Sequence, residues 1–201
     1  MPRHIKIGMI FLILLWIVGL SYYYNLQRRI SEMIRPETEK PRPYLASQPS
    51  FSEKAPLKKV KLYFPSASEE DRMVTEQREI HISKFASAEA KQIIAELIAG
   101  PKAGASEALP KSAQLRQLFI TGNGLAVVDF TRKVSEDHVG GLTQEAASIS
   151  AVVNSLMANV KTIQKVQIII EGTEAETLAG HIDLSQPFDL AVLSELFTMT
   201  K

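Results

Sequence analysis

Cysteine is absent from the 201 residues, which excludes disulfides, thiol catalysis and thiolate metal sites together. It also excludes a lipid attached to this sequence through an acylated cysteine. Tryptophan occurs once, at Trp16, so the rest of the chain has no indole on which a sugar could stack. Strong charge of one sign is missing too: residues 1–56 carry eight Lys/Arg against four Asp/Glu, and residues 57–201 carry fifteen against eighteen. A slightly acidic region with no basic run longer than two residues lacks the footprint of a nucleic-acid binder. No G-x-S-x-G, H-E-x-x-H, phosphate-cradling glycine loop or dinucleotide fingerprint occurs. The sequence therefore points to a protein without catalytic residues, cofactor or metal.

What is present begins with Ile7 to Tyr24, eighteen residues without a charged side chain. As a helix this run reaches roughly 27 Å, close to the hydrocarbon thickness of a bilayer. A cleaved secretory signal is the competing reading, but such signals have shorter apolar cores followed by small residues. Here Tyr22, Tyr23 and Tyr24 follow, rings suited to a membrane interface. Residues 1–25 are accordingly expected to be an N-terminal transmembrane anchor. Arg3 and Lys6 precede the run, and Arg28, Arg29, Arg35, Lys40 and Arg42 follow it. Charge counting would leave the rest of the chain in the cytoplasm, yet the rule is weak ahead of a long folded region, so charge alone leaves the orientation open.

Residues 26–56 hold five of the ten prolines and no glycine. Proline fixes φ and removes donors, so this stretch reads as a semi-rigid linker, up to roughly 95 Å long if fully extended. Residues 57–190 then read as one domain, with 191–201 as a C-terminal tail. Alternation predicts strands at Val60–Phe64, closed by Pro65, and at Met73–Ile82, with an acidic turn at Glu69, Glu70 and Asp71. A helix capped by Ser87 carries Ala90, Ile93, Ile94, Leu97 and Ile98 on one face and stops at Gly100-Pro101. Two strands, Leu115–Thr121 and Leu125–Thr131, meet at Gly122-Asn123-Gly124. After Gly140-Gly141, Ile149, Val152, Val153, Leu156, Met157 and Val160 mark a long helix, and Val166–Ile170 reads as a buried central strand. The order β-β-α-β-β-α-β, with both helices on a sheet, is a two-layer α+β domain. Ala191–Phe197 is a short helical candidate.

Several landmarks fall in series: Leu62-Tyr63-Phe64-Pro65, Leu97-Ile98-Ala99-Gly100-Pro101, Leu109-Pro110, Ala126-Val127-Val128-Asp129-Phe130, and Val166-Gln167-Ile168-Ile169-Ile170-Glu171-Gly172. This series resembles the GerMN domain, the sporulation and spore germination domain of bacterial envelope proteins. The resemblance implies an extracytoplasmic domain with a ring-building-motif-like α+β core, a role in assembling envelope complexes, and wall association. It supplies no catalytic residue. Better-known members are lipoproteins with tandem copies, whereas here a single copy follows an expected transmembrane anchor. Tyr63, Pro65, Gly100, Pro101, Pro110, Asp129 and Gly172 are the motif positions, and their expected roles are mainly structural. Asp129 in particular is placed to cap a neighbouring turn with its carboxylate.

Histidines stand at positions 4, 81, 138 and 181. His181-Ile182-Asp183 is a weak metal or acid/base pattern, expected to be a surface or turn pair, and Asp137-His138 precedes the long helix. Tyr63, Phe64, Phe85, Phe119, Phe130, Phe188 and Phe197 are expected mostly in the core, which favours protein assembly over glycan binding. The expected partners are thus the membrane, through the N-terminal run, and an envelope protein or a second copy, with peptidoglycan as the alternative. An exposed sheet face or edge is the first candidate surface. Leu190, Leu193, Leu196 and Phe197 form the second, with core packing as their alternative role.

Overall fold

The computed structural model describes Trp16, Leu20 and residues 56–69, 72–102 and 104–199. The chain divides into two compact units, Met1–Gln48 and Pro49–Lys201. In the first, Trp16 and Leu20 are helical and exposed. The remainder of the expected anchor, and the linker up to residue 55, lie outside the described residues. Among the described residues no helix is long and apolar enough to cross a membrane.

The second unit runs β1 (Leu57–Pro65), β2 (Met73–His81), α1 (Ala86–Ala99), β3 (Leu115–Ile120), β4 (Leu125–Phe130), α2 (Lys133–Glu136), α3 (Leu142–Asn159), β5 (Lys165–Ile170) and α4 (Leu190–Met199). The expected α+β order is present, with the short helix α2 added to it and the helical candidate at Ala191–Phe197 falling within α4. The strands form two sheets where one was expected: an antiparallel pair β1-β2, and a three-stranded sheet in the order β3-β4-β5. β3 and β4 are antiparallel and joined by the glycine turn, whereas β4 and β5 are parallel with α3 as part of the connection. Parallel neighbours need a crossover of this kind.

β4, and not β5, is the central strand. Ala126 to Phe130 are all buried, which accounts for the near-continuous apolar run Leu125 to Val128. β5 reads as central because its outer side is also covered: Val166 exchanges two backbone hydrogen bonds with Phe188, each of 2.8 Å. Local sequence cannot distinguish a covering segment from a true strand.

α3 is buried around most of its circumference, including Glu145, Ser148, Ser150 and Ser155. Its small residues Ala146, Ala147, Ala151 and Ser155 allow neighbouring backbones to approach closely. One core joins both sheets to α1 and α3, with Leu62, Phe64, Ile93, Leu97, Phe130, Ile149, Leu156 and Ile168 at 1 % exposure or less. Ser87 is not the cap of α1, because the helix starts one residue earlier, behind Phe85, and has no side-chain cap bond. Glu89 in its first turn reaches back instead, accepting from Ser83 N at 3.1 Å and from Lys58 Nζ at 2.5 Å.

Candidate functional site

The motif positions lie in the strands and in the turns that border them and α1. Gly100 ends α1 with its N–H on Leu97 O at 3.1 Å, and its own carbonyl accepts from the guanidinium of Arg78 at 3.0 Å. Arg78 is buried, bonded to Glu76 at 2.5 Å and 3.4 Å from Glu96, with the ring of Phe64 6.0 Å away. Pro101 follows, where no further helical N–H is available. Pro65 O accepts from Ser106 N at 2.8 Å, and Pro110 O from Ala113 N at 2.9 Å. Asp129 accepts from Gly172 N at 2.9 Å and from Arg116 at 3.2 Å, so its carboxylate does cap the turn that closes β5. Glu171 and Gly172 both have positive φ, 55° and 77°, as a two-residue turn between Ile170 and Thr173 requires.

Among the described residues the histidines carry no reactive arrangement. His181 and Asp183 do not meet on one ligand: the His181 ring lies 3.2 Å from Glu145, while Asp183 accepts from Ser185 N at 2.7 Å. His138 Nε2 is 2.9 Å from the hydroxyl of buried Ser148, a pairing that could suggest a nucleophile and its base. The other ring nitrogen decides against this. Nδ1 accepts from Gly140 N at 3.0 Å, so in the neutral ring the proton sits on Nε2, which donates to Ser148 instead of taking its proton.

Burial holds the pKa of His138 below the ordinary histidine value of 6.5, with Glu145 opposing the shift. Between that lowered value and 6.5 the unfolded chain binds more protons than the folded one, so stability is fully present above 6.5 and falls as pH drops through this window. Thermal melts from pH 7.5 to 5 are expected to show the loss, and His138→Gln to flatten it. An identical slope in both proteins would contradict this account.

Glu145 escapes sequence reasoning and ties α3 to the loop after β5. Wholly buried, it accepts from Leu178 N and Ala179 N through Oε1 and from His181 N through Oε2, each at 2.9 Å. One signal was available: residue 145 shares the helical stripe of Ile149, Val152 and Leu156, where a carboxylate demands a partner.

The solvent side of the domain offers two features. Phe85 and Phe119, expected in the core, are 71 % and 48 % exposed. Phe119 alternates with buried Leu118 on β3, and Phe85 stands ahead of α1, off its apolar face. Both rings line an open cleft of about 460 Å³ that also takes in Lys84, Ser87, Thr121 and Thr162.

The other feature is a sheet edge. Bonds Ile82 N to Pro56 O and Ser66 N to Arg72 O set the alternation between β1 and β2, so the odd-numbered residues of both strands turn their backbone groups outward. On the second half of β1 these groups are mostly taken: Asn159 bonds both the N–H and the carbonyl of Lys61 at 2.8 and 2.7 Å, and Ser155 Oγ accepts from Tyr63 N at 2.9 Å, whereas those of Leu57 and Lys59 have no hydrogen-bond partner among the described residues. On β2 the Gln92 amide takes both groups of His81 at 2.8 Å each. The outward groups of Met73, Thr75, Gln77 and Glu79 have no hydrogen-bond partner among the described residues. Of the second candidate surface, Leu193 is in the core and Leu190 is 56 % exposed.

Fold and surface together define an α+β domain of two small sheets on one core, with an open strand edge and no reactive constellation in the described residues. Residues 61–176 match the family Germane, described as sporulation and spore germination, and the chain belongs to that family. Two solved structures of one protein agree on the fold. The first GerMN domain of the Bacillus subtilis sporulation protein GerM matches with a TM-score of 0.50 and 20 % identity, over 67 % of this chain and 98 % of that one. The tandem GerMN domains of the same protein match with a TM-score of 0.50 and 16 % identity, over 66 % of this chain and 45 % of theirs, so this chain spans about half of that tandem. A Clostridium perfringens protein described as a lipoprotein is 24 % identical over 67 % of this chain and 89 % of its own, with a TM-score of 0.49. No curated protein matches.

Proposed function

We propose that this chain is a membrane-anchored protein of the bacterial envelope whose GerMN domain mediates protein assembly outside the cytoplasm. In this reading residues 1–25 anchor it, 26–56 hold the domain away from the bilayer, and the domain itself begins at residue 57. The observation that carries the reading is the unpaired edge of β2 from Met73 to Glu79. Such a row of unsatisfied donors and acceptors is a template for another strand. A reporter active only outside the cytoplasm, fused after Lys201, is expected to be active. A cytoplasmic signal would overturn the reading.

The cleft between Phe85 and Phe119 supports a second reading, a module that binds wall glycan: rings offer stacking faces, and Ser87, Thr121 and Thr162 offer hydroxyls. Sedimentation of the purified full-length chain with isolated sacculi separates the two. Saturable retention lost in Phe85→Ala and Phe119→Ala would favour the glycan module. Assembly as the main role predicts no such retention.

A further inference from the structure

We propose that a second copy of this chain occupies the open β2 edge, the two β2 strands pairing antiparallel about a two-fold axis at Gln77. The inference rests on the assembly reading above and names its partner.

Three observations converge. First, the edge lacks several of the usual protections, and its inward charges Glu76 and Arg78 are paired with one another. Met73 to Glu79 contains no proline and no lysine, and the β1-β2 register runs without a bulge from Leu57 opposite His81 to Pro65 opposite Met73. Second, pairing would leave less of the sheet open. From Lys61 to Pro65 the outer edge of each β1 is already bonded by Asn159, Ser155 and the Ser106 segment. Two copies would therefore form a four-stranded sheet blocked along that stretch of its two ends, an isologous dimer. A foreign strand would itself bring a new edge.

Third, charge selects the register. Only odd-numbered residues present outward groups, so the axis falls on one residue of the strand. An axis at Glu76 places that carboxylate opposite its own copy, and an axis at Arg78 does the same with the guanidinium. Like charges directly opposite are destabilising. With the axis at Gln77, Glu76 faces the partner's Arg78, Val74 faces the partner's Ile80, Thr75 faces the partner's Glu79, and Gln77 faces itself. Residues 75, 77 and 79 then form about six main-chain hydrogen bonds. The pairs 76/78 fall in the non-hydrogen-bonded class, where side chains approach most closely.

A photo-crosslinking residue at position 77 of the full-length chain, in its own host, is expected to yield an adduct of twice the 22.3 kDa chain. Adducts of other masses only would overturn self-pairing while leaving edge-mediated assembly intact. No adduct at all would overturn both. The absence of native cysteine makes a register test clean. In detergent, under mild oxidation, Gln77→Cys is expected to form a disulfide dimer alone. Thr75→Cys and Glu79→Cys should do so only when mixed, because opposed residues lie within bridging distance. Exposed Val139→Cys is the control. Equal cross-linking of all four variants, or of Thr75→Cys with itself, would overturn the register.

Discussion

Glu145→Ala is expected to destabilise the domain by about 3 kcal/mol or more, because three backbone donors lose their acceptor together. The side chain is wholly buried and accepts three backbone N–H groups of one loop, those of Leu178, Ala179 and His181. Alanine leaves all three donors without an acceptor, and an orphaned buried donor costs about 1–3 kcal/mol where water cannot replace the partner. Leu178 also packs in the core at 2 % exposure, and its carbonyl accepts from Ser135 Oγ, so the loop cannot simply swing out to solvent. In a domain of this size the loss corresponds to a fall in Tm of roughly 10 °C. Hydrogen exchange supplies the specific readout: amides of residues 178–181 should lose protection more than those of β4. A fall in Tm under about 3 °C with those amides still protected would show that Glu145 does not hold the loop. Glu145→Gln keeps the shape but turns an N–H toward one set of donors, so it should fall between wild type and alanine.

The second large effect is expected at Gly124. Its φ is +82°, and a Cβ there would meet the carbonyl of Thr162 at 2.8 Å and Gln164 Cγ at 3.0 Å. Neither problem can be relieved locally. The carbonyl is backbone, and Gly124 O already receives Gln164 N at 2.8 Å, locking the β3-β4 turn to the loop before β5. Left-handed backbone costs a residue with a Cβ about 1–2 kcal/mol, and the clash adds to it. Gly124→Ala is therefore expected to cost about 3 kcal/mol or more. Gly122→Ala, two residues away in the same turn, meets nothing within 4 Å and should cost less than about 1 kcal/mol. Urea unfolding separates them, with the midpoint lowered for Gly124→Ala and an unchanged slope. Equal midpoints for the two variants would refute the close approach.

Much of the fold was legible because local periodicity reports burial. The stripe Ala90, Ile93, Ile94 and Leu97 and the stripe Ile149, Val152, Val153 and Leu156 are buried as their spacing requires. Gly100-Pro101 ends its helix, and Gly122-Asn123-Gly124 turns its hairpin. Periodicity says less about neighbours. That β4 is central and β5 lies beside Phe188, or that five strands split into two sheets, depends on pairings between distant segments. Phe85 and Phe119 show the same limit from the other side: apolar type suggested the core, while position relative to a helix start and to strand alternation put both rings in solvent.

The candidate surface divides in the same way. Alternation by itself marked β2 as a strand, the residue order showed no familiar catalytic motif, and five landmark segments in series carried the family resemblance. Tertiary structure alone decided which strand edge is open. Ser155 and Asn159 lie more than ninety positions from Tyr63 and Lys61, and only the packing of α3 against β1 brings their side chains onto that backbone. The hydrogen-bonding groups of a strand are the same in every residue but proline, so sequence cannot show whether they are satisfied. The folded chain occupies those of Lys61, the Tyr63 N–H and the Pro65 carbonyl on β1, and among the described residues leaves those of Met73, Thr75, Gln77 and Glu79 free on β2.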